Sequence, residues 1–187
     1  VDYAGTDNQS KGCLNTTMAL CNSFAFGGIK AALDPKGPIN SGCFRPILVT
    51  APQGTMLNAN FPAAAGGWGE AGQASVLAMI ALSKVVPHKV SAEEGAAANH
   101  QNFAGVDVRN DDPHHFIYYD YPSGGGGARA NKDGLDFVKT LRSGNVQAQS
   151  MEVLENLFPV HIQCLELRQD SGGPGEFRGG LGVVREY

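Results

Sequence analysis

Apolar and small residues recur at spacings of three and four near the start of the chain. Met18, Cys21, Ala25, Gly28, Ile29 and Ala32 fall on one helical face, which predicts a helix over 15–32. Its small side chains would let it pack closely on a neighbour. A second helix is predicted at about 70–85, with a stripe of Ala71, Ala74, Leu77, Ala78 and Ala81. Glu70 suits its N-terminus, Lys84 its C-terminus, and Pro87 stops it. Ser150 is placed to cap a short helix at 151–157, with Glu152 in the first turn and Pro159 beyond the end. Trp68 is expected in the core or at an interface.

Strand signals are shorter. Pro46 to Thr50 is an apolar run with β-branched residues, read as a buried strand. Phe116 to Tyr121 is a second strand. Val160, Ile162 and Cys164 alternate with His161 and Gln163, so Val160 to Arg168 is a third. Gly182 to Glu186 closes the series. Residues 92–112 show no clear period, and 34–43 read as loop. Helices and strands without strict alternation predict an α+β fold, with mixed sheets, a few helices and many glycine-rich turns. No repeat or boundary divides the chain, which reads as a single region over 1–187.

Composition sharpens this in one respect. Twenty-five glycines far exceed the usual share of about 7%. They cluster at Gly27-Gly28, Gly66-Gly67, Gly124 to Gly127, Gly172-Gly173 and Gly179-Gly180. They interrupt apolar segments without low-complexity repetition, so they point to tight turns and close backbone approaches in an ordered protein. A net charge of −4 with no basic run argues against a nucleic-acid partner. No apolar stretch reaches the ~20 residues that span a bilayer. The first residues match no signal or transit peptide and carry no initiator methionine, so the chain is expected to continue a longer protein. Cys13, Cys21, Cys43 and Cys164 form no C-x-x-C pair, which disfavours a finger-type zinc site and fits a reducing, cytoplasmic setting. Asn15-Thr-Thr matches a glycosylation acceptor, a triplet common by chance.

Residues 170–174, Asp-Ser-Gly-Gly-Pro, resemble the nucleophile loop of trypsin-like serine proteases. A serine needs a histidine to take its proton. None of His88, His100, His114, His115 or His161 lies in the Ala-Ala-His-Cys context of that family. Ser171 is therefore expected to be a turn residue. Other candidates are similarly double-edged. His114-His115 follows Asp111-Asp112-Pro113, but neighbours on a strand face opposite ways and do not share an ion. His100 stands beside Asn99 and Asn102, a polar trio able to bind a cyclic amide or ketone oxygen, or an ordinary loop histidine. Arg178 either anchors a carboxylate or braces the glycine turn, the second being favoured.

Several segments in order resemble the hydantoinase B/oxoprolinase family. They are Tyr3-x-Gly-Thr-Asp-x-Gln, Gly12-x-x-Asn15, Asn40-x-Gly-x-x-Arg45-Pro-Ile, Pro52-x-Gly-Thr-x-Leu-Asn58 and Pro62-Ala-Ala before Gly66-Gly67. Tyr118-Tyr119, Gly124-Gly-Gly-Gly-Ala128, Lys132-Asp-Gly134 and Val153-Leu-Glu155 follow. The last is Leu167-Arg-x-Asp-Ser-Gly-Gly-x-Gly-x-Phe-Arg-Gly-Gly-x-Gly-Val-Val-Arg-Glu186. Each piece is weak alone; their order is specific. Two positions depart from the pattern. Val138 to Arg142 lacks a His-Thr-His-like stretch, which counts toward the ketone-carboxylase branch, and Asn99-His100 replaces paired asparagines.

The resemblance implies the C-terminal portion of a metal-binding subunit in a cytoplasmic hetero-oligomer. A hydantoinase A-like partner would bind ATP with Mg2+ and phosphorylate a small-molecule substrate. The present subunit would then open a cyclic amide of hydantoin, 5-oxoproline or lactam type. One alternative is an ATP-dependent ketone carboxylase subunit of the acetone or acetophenone type. Another is a structural or interface segment whose chemistry lies elsewhere. A divalent metal such as Zn or Mn would take its ligands from outside this chain. His100 and Asn99 are the candidate catalytic residues. Gly125, Gly126 and Arg129 are candidates for holding the anionic group of the substrate.

Overall fold

The computed structural model describes residues 1–95, 100–138 and 148–187, and of residues 68–71 the backbone alone. The described residues fall into two compact units. The first comprises Val1–Ala92 with Arg129–Asn131, and the second holds the remainder.

The first unit is built on two helices, α1 (Met18–Leu33) and α3 (Trp68–Ser83), with a single turn, α2 (Ser41–Phe44), between them in sequence. Asn40 caps that turn, its side-chain oxygen accepting from the Gly42 and Cys43 amides. The predicted face of α1 is the buried one: Cys21, Ala25, Gly28 and Ala32. Where it meets α3, a β-carbon on Gly28 would stand 2.8 Å from the Ser75 carbonyl oxygen, so the helices approach at backbone distance. Tyr3, Val49, Leu57 and Ala74 complete this core with Cys21 and Ala25. The buried Tyr3 hydroxyl donates to the Ala74 carbonyl at 2.6 Å.

Two expectations change here. On α3 the buried arc is Ala74, Ser75, Val76, Ala78 and Met79, whereas Leu77 and Ala81 face outward. The helix is apolar nearly all round, so spacing alone does not select its buried face. The predicted strand at 46–50 is absent. Only Thr50 pairs, in a parallel bridge to Asp2, and Leu48 is 75% exposed. A strand requires a ladder, and among the described residues this segment forms one rung. Trp68, Glu70 and Ala71 have side chains outside the described set.

Asn15 is fully buried. Its amide nitrogen donates to the carbonyls of Ser10, Gly12 and Ala64, and its oxygen accepts from the Ser10 amide. A nitrogen so engaged is no glycosylation acceptor in the folded chain.

The second unit contains two antiparallel pairs, β1 (Gln101–Asp107) with β2 (His114–Asp120), and β3 (Cys164–Leu167) with β4 (Val183–Glu186). Helix α4 (Met151–Leu157) lies between the pairs in sequence, and the Val153 amide donates to its Ser150 cap as expected. Fold class is thus α+β. Strand β1 had no sequence signal because its inward positions include Gln101, Gly105 and Asp107. Gly105 makes room for the Phe116 ring, 3.2 Å from where its β-carbon would be.

The glycine clusters meet one another. The Gly126 amide donates to the Leu135 carbonyl, Gly180 to Gly126, and Gly134 to Arg178, each at 2.8 Å. A β-carbon on Gly134 would lie 2.0 Å from the Gly126 oxygen, and one on Gly180 1.9 Å from the Leu135 oxygen. The four-glycine run and the terminal glycine motif are two sides of one backbone-to-backbone joint.

Candidate active site around His100

The register of β1 with β2 places Phe103, Gly105, Tyr118 and Phe116 on one face, and Asn102, Ala104, Val106, Tyr119, Ile117 and His115 on the other. The first face is packed. Tyr118 lies 4.9 Å from the Phe158 ring and 5.9 Å from that of Phe103, centroid to centroid. The second carries exposed Ile117 and Tyr119.

At the end of this hairpin three aromatic rings gather. His100 stacks on Tyr119 at 5.4 Å and on Tyr121 at 5.9 Å, and the two tyrosines lie 5.6 Å apart. The Tyr119 hydroxyl and His100 Nδ1 share a hydrogen bond. Burial raises the Tyr119 hydroxyl above its ordinary value, with Tyr121 adding to the effect. Asn102 pairs with Tyr119 on the same face. This arrangement joins a histidine able to carry a proton, a phenol in contact with it, and a carboxamide on the same face. In the sequence Tyr119 entered through the Tyr118-Tyr119 motif, and neither tyrosine was a candidate site residue. Their spacing of two around Asp120 was the available signal. Asn99 lies outside the described residues.

Behind the rings stands Asp120. One carboxylate oxygen accepts the Tyr121 amide at 2.8 Å. The other accepts from Arg185 Nη1 and the Tyr187 hydroxyl, and the Tyr118 hydroxyl also bonds this carboxylate. The Arg185 side chain is 4% exposed and that of Asp120 15%. Burial pushes the Asp120 carboxyl up, but the bonds from Tyr187 and Tyr118 and the Arg185 charge outweigh it, leaving the group below its ordinary value. Among the described residues, buried Arg185 Nε and Gln101 Oε1 meet no hydrogen-bond partner.

The other predicted residues make contacts of their own. Gly125 and Gly126 are in the glycine joint, where the Gly126 amide is already bonded to Leu135. Exposed Arg129 belongs to the first unit and forms a bridge with Ser91. Arg178 braces the joint: Nη1 reaches Asp136 and the Gly179 carbonyl, both at 3.1 Å. The Ser171 hydroxyl donates to the Arg168 carbonyl at 2.7 Å and accepts the Gly182 amide at 2.9 Å, a turn-closing role. His114 and His115 are exposed at the start of β2 and pair with Asp107 and Val106 on opposite faces. Among the described residues no three His, Cys, Asp or Glu side chains are grouped to hold a metal. No described helix is long and apolar enough to cross a membrane.

The family model for hydantoinase B/oxoprolinase matches residues 1–187. The chain belongs to this family. It is 39% identical over 150 residues to a protein named as the B-type component of a D-/L-hydantoinase from Pseudomonas sp. (strain NS671), covering 80% of this chain and 24% of that one. It is 32% identical over 185 residues to a 5-oxoprolinase of Dictyostelium discoideum, covering 99% of this chain and 14% of that one. The structure of the ATP-dependent caprolactamase from Pseudomonas jessenii superposes with a TM-score of 0.81 at 29% identity, over 96% of this chain and 32% of the caprolactamase chain. A nucleotide-free acetone carboxylase structure gives a TM-score of 0.84 at 22% identity, over 97% of this chain and 25% of that one, a likeness of fold. The hydantoinase B-type chain thus spans about a quarter or less of these two curated relatives.

Proposed function

We propose that these residues are part of the catalytic subunit of an ATP-dependent enzyme that opens a cyclic amide of hydantoin, 5-oxoproline or lactam type. The observation that carries the reading is the 39% identity to a protein named as a hydantoinase component. An amide carbonyl is a poor electrophile. Transfer of the γ-phosphoryl group of ATP to its oxygen gives an imidate phosphate and ADP. A first water then adds to the carbon and the ring C–N bond breaks, leaving an acyl phosphate, which a second water cleaves to the free acid and inorganic phosphate. The ring nitrogen takes up a proton, and His100 with Tyr119 supplies a route for it. Asn99, next to His100 in sequence, is the second candidate, and Gly125, Gly126 and Arg129 are the candidates for the anionic group. ATP and Mg2+ would sit on a hydantoinase A-like partner subunit, in a cytoplasmic hetero-oligomer. A divalent metal such as Zn or Mn would be held by residues beyond this chain.

The test is to purify the complete gene product with its ATP-binding partner and offer hydantoin, 5-oxoproline and caprolactam with ATP and Mg2+. One of the three is expected to yield a ring-opened acid in step with ADP. Labelled bicarbonate with acetone or acetophenone serves as the contrast. Fixation of label without ring opening would replace the amidohydrolase reading with the carboxylase one.

A further inference from the structure

We infer that Asp120 is the positioning residue of the His100–Tyr119–Tyr121 cluster, an inference that rests on the reading of His100 as a proton carrier. The β1–β2 ladder ends at the pair Gln101 and Asp120. His100 and Tyr121 both stand one residue past it, beyond the last backbone rung. Their rings are nevertheless stacked. Asp120 is where this overhang is gripped. Its side chain lies on the packed face of the hairpin, opposite Tyr119. From there one oxygen takes the Tyr121 amide and the other takes Arg185 of β4 and the Tyr187 hydroxyl.

The grip is rigid for identifiable reasons. Arg185 is almost wholly buried, and a desolvated ion pair does not exchange partners with water. Tyr187 is itself held by the Phe103 ring at 4.7 Å, and Phe103 stacks on Tyr118, whose hydroxyl returns to Asp120. The carboxylate thus couples β1, β2 and β4 directly beneath the two tyrosines. Those tyrosines are its immediate neighbours, so their ring positions follow the backbone that Asp120 fixes. Preorganisation of this kind keeps a proton carrier in one geometry. The Asp120 side chain acts through the Tyr121 amide, Arg185, Tyr187 and Tyr118.

The test uses the complete subunit and its partner. Diethylpyrocarbonate modification of each histidine is followed by peptide mass spectrometry, alongside steady-state turnover, in Asp120→Asn and Tyr187→Phe. The Tyr187→Phe variant removes the hydroxyl's two hydrogen bonds, to Asp120 and from Arg185, but leaves the Asp120–Arg185 pair in place, and is expected to fold even if Asp120→Asn does not. His100 is exposed, so its modification rate reports how firmly the Tyr119 hydroxyl holds Nδ1; the rate is expected to rise about fivefold in Tyr187→Phe and more in Asp120→Asn. His161, on the same unit, is expected to keep its rate. The fall in turnover is expected in kcat with KM nearly unchanged. Unchanged His100 reactivity in a folded variant overturns the proposal, and so does an equal rise at His161, which signals general loosening. A selective rise at His100 with full turnover leaves Asp120 as the positioning residue and removes His100 from the chemistry.

Discussion

The Gly180 carbonyl oxygen lies 1.8 Å from where a β-carbon on Gly125 would stand. Two glycine runs far apart in sequence are therefore pressed together at a distance that admits hydrogen alone. Alanine at Gly125 must push backbone aside, since no flexible side chain is there to yield. We expect Gly125→Ala to lower stability by about 3 kcal/mol. Gly173, with nothing within 4 Å of its β-carbon position, is the control: Gly173→Ala is expected within about 1 kcal/mol. Urea midpoints by circular dichroism check both.

A second contrast lies on α1. Gly28 faces the Ser75 carbonyl at 2.8 Å, whereas its neighbour Gly27 has open space. Gly28→Ala is expected to separate the helices and cost about 1–3 kcal/mol. Gly27→Ala is expected to stabilise by about 0.5–1 kcal/mol, the difference in helix propensity. Opposite shifts in Tm for adjacent residues are the signature to look for.

Ser171 spends its hydroxyl on the Arg168 carbonyl and the Gly182 amide. A fluorophosphonate is expected to leave it unlabelled. Ser171→Ala is expected to cost about 1 kcal/mol of stability while turnover of the assembled enzyme holds. Covalent labelling at Ser171 in the folded protein would restore the nucleophile reading.

Acid should loosen the second unit through Asp107. This buried carboxylate accepts three side-chain contacts and a backbone amide from Arg109. Those bonds hold its pKa at about 2, below the ordinary carboxylate value. Arg109 also donates to the Glu155 carbonyl at 2.7 Å, so the pair ties β1 to α4. A lowered folded-state pKa means the unfolded chain binds more protons between the two values. The Asp107 contribution is therefore complete above the unfolded pKa of about 3.9 and is lost as pH falls through the folded value of about 2. Urea midpoints measured from pH 5 to pH 2 are expected to fall less steeply in Asp107→Asn than in the parent chain.

Local pattern was a good guide where one residue type dominates a face. The small-residue stripe of α1 and the Ser150 cap of α4 carry their own geometry, so both appear as read. The pattern misled where a face is uniform or mixed. On α3 almost every position is apolar, and on β1 the inward positions alternate polar, aromatic and glycine. The 46–50 run is apolar because it contributes Val49 to a core, and among the described residues it forms a single rung rather than a ladder. At the candidate site His100 was visible by its polar neighbours, whereas Tyr119 and Tyr121 acquire meaning only when the hairpin brings them to it.

By itself the sequence determined the family, through ordered short motifs, and the helices whose capping and spacing are local. It also marked the terminal Asp-Ser-Gly-Gly-Pro run as a turn. Only the tertiary structure decided why the glycines are there and which groups surround His100. The joint between Gly125 and Gly180, and the grip of Arg185 on Asp120, link residues more than fifty positions apart. Neither a period nor a propensity encodes such a contact. It arises when packing brings distant backbone and buried charge within reach.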